Sequence, residues 1–204
     1  MKIETAVVGP LSNNTYLVIS EKNNAVVIDP GMGFEDIDNI ISKNEATLKY
    51  VFLTHGHFDH IASASQLIKK YGARLVVSKK DAEMIASERM SLAFMFTRNF
   101  EPLKADIEVC EGDKISVDEL EFDFIETPGH SEGSVCIICG DTIFSGDTVL
   151  EGSVGRTDFY GGSGEKLMQS VKRLSQYPND YKLLCGHGMP SSIGIEKTVN
   201  PYFK

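Results

Sequence analysis

Residues 49–60 read Lys49-Tyr50-Val51-Phe52-Leu53-Thr54-His55-Gly56-His57-Phe58-Asp59-His60. An apolar run ends in three histidines and an aspartate within six positions. At this chain's own His and Asp frequencies, the pattern His-x-His-x-Asp-His arises by chance on the order of twice in ten thousand such chains. Residues 49–54 read as a strand. His55 leaves its end and His57 follows two residues on, so an extended backbone aims both imidazoles the same way. Asp59 and His60 lie where the chain turns into a helix, with Ile61, Ala64, Leu67 and Ile68 on one face and Gly72 as the stop. They point elsewhere. That favours two adjacent metal positions over one, and imidazole and carboxylate donors suit zinc, iron or manganese.

The two remaining histidines sit in Pro128-Gly129-His130-Ser131 and Cys185-Gly186-His187-Gly188. Core histidines held by packing would be scattered through apolar periods. Here every one lies beside glycine or inside the cluster, at a strand end or in a loop. A closed structural zinc uses four ligands in tight pairs, and these are too many and too widely spread for that. Surface histidines without metal are the other bland reading.

Strand-like runs flank the cluster on both sides. Residues 2–8, 15–19 and 25–28 alternate or run apolar between turns, and Asp29-Pro30-Gly31 closes the third. Residues 34–42 carry apolar side chains at helical spacing. Residues 75–77 form a further strand, and Asp81 is placed to cap a helix running toward Ser91. Strands follow at 107–109, 114–117, 120–125, 135–138, 142–144 and 182–185. A glycine-rich stretch from Gly152 to Gly164 precedes a helix over 167–174, and a short helix or turn follows Ser191. Strands in runs of two or three, broken by single helices, suggest sheets packed together with helices outside.

Composition narrows the classes further. The 204 residues are 42% hydrophobic and 24% charged, with a net charge of −9, which is ordinary globular usage and a poor match for nucleic-acid backbone. No apolar run approaches the ~20 residues of a membrane span, and no signal-peptide pattern follows Met1. A cytoplasmic protein is expected. The four cysteines do not make a disulfide scaffold. Cys136 and Cys139 fall on opposite faces of a strand and read as packed thiols. The segment 90–100 holds Met90, Leu92, Phe94, Met95, Phe96 and Phe100. It reads as a cover packed on the core or at a subunit contact, or as an apolar wall beside the metals.

With Asp29-Pro30-Gly31, the His55–His60 signature, Pro128-Gly129-His130-Ser131, Ser145-Gly146-Asp147-Thr148 and Cys185-Gly186-His187-Gly188, nearly the whole chain resembles a metallo-β-lactamase-fold hydrolase. The resemblance implies an α+β fold: one domain over 1–204, a four-layer αβ/βα sandwich of two mixed β-sheets with helices outside. It implies a first metal on His55, His57 and His130 and a second on Asp59, His60 and His187. Asp147 would bridge them together with a water or hydroxide, so Asp59 and Asp147 are the catalytic carboxylates. Two divalent ions are expected, zinc first, with iron or manganese as alternatives.

Within the family, Gly152-Ser153-Val154-Gly155-Arg156-Thr157-Asp158 and the ending Thr198-Val199-Asn200-Pro201-Tyr202 resemble small glyoxalase II-like enzymes, which hydrolyse S-hydroxyacylglutathione thioesters. The best-known β-lactamase subclass has a metal-binding cysteine near the place of Asp147, so a β-lactamase is a weaker match. Arg156 and Asp158 stand where those glyoxalase II enzymes place a lysine and a tyrosine that contact glutathione. The resemblance makes them candidate substrate-binding residues; pairing with each other to brace the loop is the alternative. The expected partner is a small-molecule thioester, with neither nucleic acid nor membrane. A persulfide dioxygenase on the same fold shares the Gly-Arg-Thr-Asp loop and would hold one iron through His55, His130 and Asp147.

Overall fold

The computed structural model describes residues 1–203. Six strands, β1 (Lys2–Val8), β2 (Asn13–Ile19), β3 (Asn24–Ile28), β4 (Thr47–Phe52), β5 (Arg74–Ser78) and β6 (Ile107–Val109), pair in sequence order into one sheet. Pairing is antiparallel from β1 to β3 and parallel from β3 to β6. The second sheet holds β7 (Lys114–Val117), β8 (Leu120–Glu126), β9 (Val135–Cys139), β10 (Thr142–Gly146), β11 (Lys182–Cys185) and β12 (Ser191–Ser192). Only β10 and β11 run parallel there. Both sheets are therefore mixed.

The period of two along the strands builds the layers. Tyr16, Val18, Val26, Ile28 and Phe52 of the first sheet face Phe122, Phe124, Val135, Ile137 and Phe144 of the second, forming the inner core. Leu17, Val27, Val51 and Leu75 point outward, where α1 (Phe34–Lys43) and α3 (Ala64–Tyr71) cover them with Ile37, Ile41 and Leu67. On the far side Ile138, Ile143 and Leu183 meet Leu167, Val171 and Leu174 of α4 (Gly164–Leu174) and Ile193 of α5 (Ile193–Val199). Helix, sheet, sheet, helix is the layer order. Cys136 joins the outer core and Cys139 the inner one, on opposite faces of β9. Burial pushes both thiols up to about 11, so they stay protonated.

Two local expectations give way to longer-range contacts. The helix expected from Asp59 to Gly72 is split into α2 (Phe58–Ile61) and α3. Between them the Ser63 N–H donates to the Pro30 carbonyl and the Ser63 hydroxyl to the Gly31 carbonyl, so that turn belongs to the end of β3. Residues 81–91 hold turns and a short 3₁₀ turn, Met84–Ala86, in place of the expected helix. Asp81 is not spent on a cap; its carboxylate is used across the molecule, as the site shows.

Candidate metal centre

Every candidate ligand follows the C-terminal end of a strand: His55, His57, Asp59 and His60 after β4, His130 after β8, Asp147 after β10 and His187 after β11. Because β3 and β4 run parallel, as do β10 and β11, these ends converge on one edge of the sandwich. Two groups of ligand atoms form there. His55, His57 and His130 offer atoms within 4.8 Å of one another, and so do Asp59, His60 and His187. Asp147 lies between them, with Oδ2 3.5 Å from His130 Nε2 and Oδ1 3.5 Å from His60 Nε2 and 3.7 Å from His187 Nε2. Asp59 Oδ2 is 3.2 Å from His187 Nε2. Donors bound at 2.0–2.2 Å to a common ion stand about 3–3.6 Å apart, so this spacing suits shared metal ions.

The outward ring nitrogens are tied down, which selects the inward ones. His60 Nδ1 donates to Asp29 at 2.9 Å, His130 Nδ1 to the Arg156 carbonyl at 2.7 Å and His187 Nδ1 to the Leu11 carbonyl at 3.0 Å. His55 Nδ1 meets Thr54 Oγ1 at 3.1 Å, and that hydroxyl donates to Asp29 at 2.6 Å. In each of these four the Nε2 lone pair is left facing the site. His57 stands the other way round, its Nδ1 2.8 Å from His130 Nε2. Gly186 lets the backbone after β11 pass close by: a Cβ there would sit 2.4 Å from Asp147 Oδ1 and 2.7 Å from the His60 ring.

Two buried carboxylates, read in the sequence only as part of a turn motif and as a helix cap, hold this geometry. Asp29 accepts from the Thr54 amide, the Thr54 hydroxyl and His60, so one side chain supports a histidine of each group. Its left-handed φ of 51° is a conformation few non-glycine residues adopt. Asp29, His55 and His60 also form a possible ligand triplet, but both oxygens of Asp29 are already spent on these bonds. Asp81 accepts from the Gly56 amide, the Ser131 hydroxyl and the Gly133 amide at 2.7–2.9 Å. It joins the His55–His57 loop to the His130 loop.

The electrostatics fit cations. Burial and the neighbouring imidazoles push His55 well below the usual histidine range, and burial beside His130 takes His57 down to about 3. Both are neutral donors. Burial also opposes a proton on His60, but Asp59, Asp147 and Asp29 outweigh it and push its pKa up to about 10. So much negative charge in a buried site calls for a positive partner. His55 Nε2, His60 Nε2 and Asp147 Oδ1 face the site and are buried without a hydrogen-bond partner. Native interiors rarely leave such groups unsatisfied unless a ligand takes them. The donor set therefore fits divalent metal ions.

Residues 8–187 match the family model of the metallo-beta-lactamase superfamily. The chain belongs to that superfamily. A curated relative, hydroxyacylglutathione hydrolase GloC of Haemophilus influenzae, is 33% identical over 99% of this chain and 98% of its own. Among solved structures, BLEG-1 B3 metallo-beta-lactamase aligns with a TM-score of 0.93 at 26% identity, covering 99% of both chains. TTHA1623 in a di-iron-bound form aligns with a TM-score of 0.87 at 29% identity, over 98% of this chain and 99% of that one. The α+β sandwich of two mixed sheets is the superfamily's fold.

Above the ligands lies a cleft of about 410 Å³. Leu92, Met95 and Phe96 form one of its walls, so the segment 90–100 borders the site. It is attached there: the Phe58 amide donates to the Ser91 carbonyl, and the Phe58 and Phe96 rings stack at 5.9 Å. Arg156 lines the cleft as well. Its Nε and Nη2 donate to the two oxygens of Asp158, each at 2.7 Å. Among the described residues no helix is long and apolar enough to cross a membrane.

Proposed function

We propose that this chain is a dinuclear metal-dependent hydrolase of thioesters, with S-hydroxyacylglutathione esters as the reference substrates. The observation that carries this reading is the position of Asp147, one carboxylate oxygen turned to each of two three-ligand groups. The GloC relative supports the substrate class and the di-iron neighbour supports two ions. When bound, the metal ions acidify a water molecule to a pKa near 7 and polarise the substrate carbonyl.

The protein's own groups do the rest. Asp147, with one oxygen turned to each ligand group, would hold both ions and so fix the point between them where the attacking water sits. Asp59 would complete the second ligand group beside His60 and His187. All five histidines stand in the ligand set, which leaves none to protonate a leaving group. A thiolate, whose conjugate acid has a pKa near 8.5, departs without that help. An amine does not. Arg156 and Asp158, on the loop that His130 anchors, meet the thiol arm of the substrate.

Metal analysis of purified protein together with hydrolysis of S-lactoylglutathione tests this. We expect about two transition-metal ions per chain and thioester turnover that chelation abolishes. Reproducibly one ion per chain in fully active protein would overturn the dinuclear reading.

A further inference from the structure

The cleft above the ligands is built for an arm with little charge. Leu11, Leu92, Met95, Phe96 and Phe159 line it, and outside the ligand set Arg156 is the one charged side chain among its described lining residues. That cation is already engaged. Asp158 takes two of its N–H groups in parallel, and the guanidinium lies 3.9 Å over the Phe159 ring centroid. Nη1 remains to donate.

The pair is held in place relative to the ligand set. The Arg156 carbonyl accepts from His130 Nδ1, and the Gly155 amide donates to the Asp147 carbonyl at 3.0 Å. A Cβ on Gly155 would sit 2.1 Å from that oxygen, so only glycine lets the loop approach so closely. Buried Glu196 accepts from the Gly152 amide, and Asn200 donates to the Ser153 carbonyl at 2.9 Å. Helix α5 thus braces the loop from outside.

We propose that this cleft takes a thioester whose thiol arm is uncharged and carries amides, as pantetheine does, and disfavours the doubly carboxylated arm of glutathione. The aliphatic part lies along Leu92, Met95 and Phe96, and an amide carbonyl accepts from Arg156 Nη1. This rests on the thioesterase reading and narrows it. Arg156 and Asp158 are exposed and their pair opens easily, but they stand two residues apart on one fixed loop. A carboxylate brought to Arg156 therefore meets the charge of Asp158 even when the pair opens. The Arg156 hydrogen bonds hold the Asp158 pKa at about 2, so that charge persists at neutral pH. Setting an ionised carboxylate against apolar side chains also costs far more than setting an amide there.

Binding of stable thioethers to the metal-loaded full chain tests the arm without turnover. S-butylpantetheine is expected to bind about tenfold more tightly than S-butylglutathione. Asp158→Asn, which removes the opposing charge, is expected to close most of that gap by tightening the glutathione thioether. Equal affinities, tighter glutathione binding or binding of neither thioether in the wild type would overturn the proposal. So would an Asp158→Asn variant that leaves the ratio unchanged. Hydrolysis of the matching butyryl thioesters reads the broader function separately. If the thioethers bind in the expected ratio but neither ester is cleaved, the thioesterase reading fails and the cleft assignment stands.

Discussion

The floor of the site and its wall are held in different ways. On the floor, Asp29 and Asp81 are buried, and each accepts three hydrogen bonds from residues at least 25 positions away. In the wall, Phe94 and Met95 are 57% and 61% exposed, and the segment meets the ligand loop through Phe58 packing and the Phe58 bond to Ser91. The floor is overdetermined and the wall is not. Chemistry that depends on ligand geometry belongs on the floor. Recognition, which tolerates sub-ångström adjustment, belongs in the wall, where Met and Phe adapt to what they touch.

The sharpest way to break this comparison is to remove a floor ligand. His60→Ala and His187→Ala each delete one donor from the Asp59 group and leave His55, His57 and His130 intact. Each is expected to depress thioester hydrolysis at least about a hundredfold, or ~2.7 kcal/mol of transition-state stabilisation. Metal content should fall by about one ion per chain in the same preparations. Oxygen uptake with glutathione persulfide that survives both substitutions, in a protein whose wild type shows negligible hydrolysis, would establish the dioxygenase in place of the hydrolase.

A smaller effect is expected one layer out. Asp29→Asn keeps the shape of the side chain but places an amide where three donors converge, so at least one of His60 and the Thr54 groups loses its acceptor. Metal affinity, measured by chelator competition, is expected to fall about 10–100-fold. The chain should still fold. Wild-type affinity in this variant would show that the ligands are oriented by backbone alone.

These two substitutions also mark what could be read in the sequence. The ligands were legible because their chemistry is unusual and their spacing local: His55 and His57 share a strand's period, and all five histidines avoid apolar runs. The layers were legible from alternation. Asp29 and Asp81 were not, since each has a common local meaning, a Pro-Gly turn for one and a helix cap for the other. Their partners lie 25 to 52 residues away for Asp81 and 25 to 31 for Asp29, so only the assembled sheets bring them together. The break between α2 and α3 has the same origin, because the Ser63 amide donates to the Pro30 carbonyl and not back along the chain. The place of the segment 90–100 was left open for a related reason: its composition suits a cover and a wall alike, and the contact with Phe58 decides.

The mildest expected effect lies in the wall, at Leu92. It lines the cleft in a left-handed conformation, φ 65° and ψ 14°, which a branched side chain adopts at a cost of about 1 kcal/mol. Leu92→Ala removes the apolar contact and keeps the backbone cost. Leu92→Gly removes both, and at positive φ glycine outdoes alanine despite its greater freedom in the unfolded chain. The glycine variant is therefore expected to be more stable than the alanine variant by about 1 kcal/mol, a difference of about 2–4 °C in Tm for a chain of this size. Both should raise KM for a thioester to a similar extent and leave kcat and metal content near wild type, because neither touches a ligand. Thermal unfolding of the pair, read beside their kinetics, separates the two contributions. An alanine variant at least as stable as the glycine one would mean that the wall relaxes its backbone freely. A fall in metal content in either would mean that wall and floor are not held apart as their hydrogen bonds indicate.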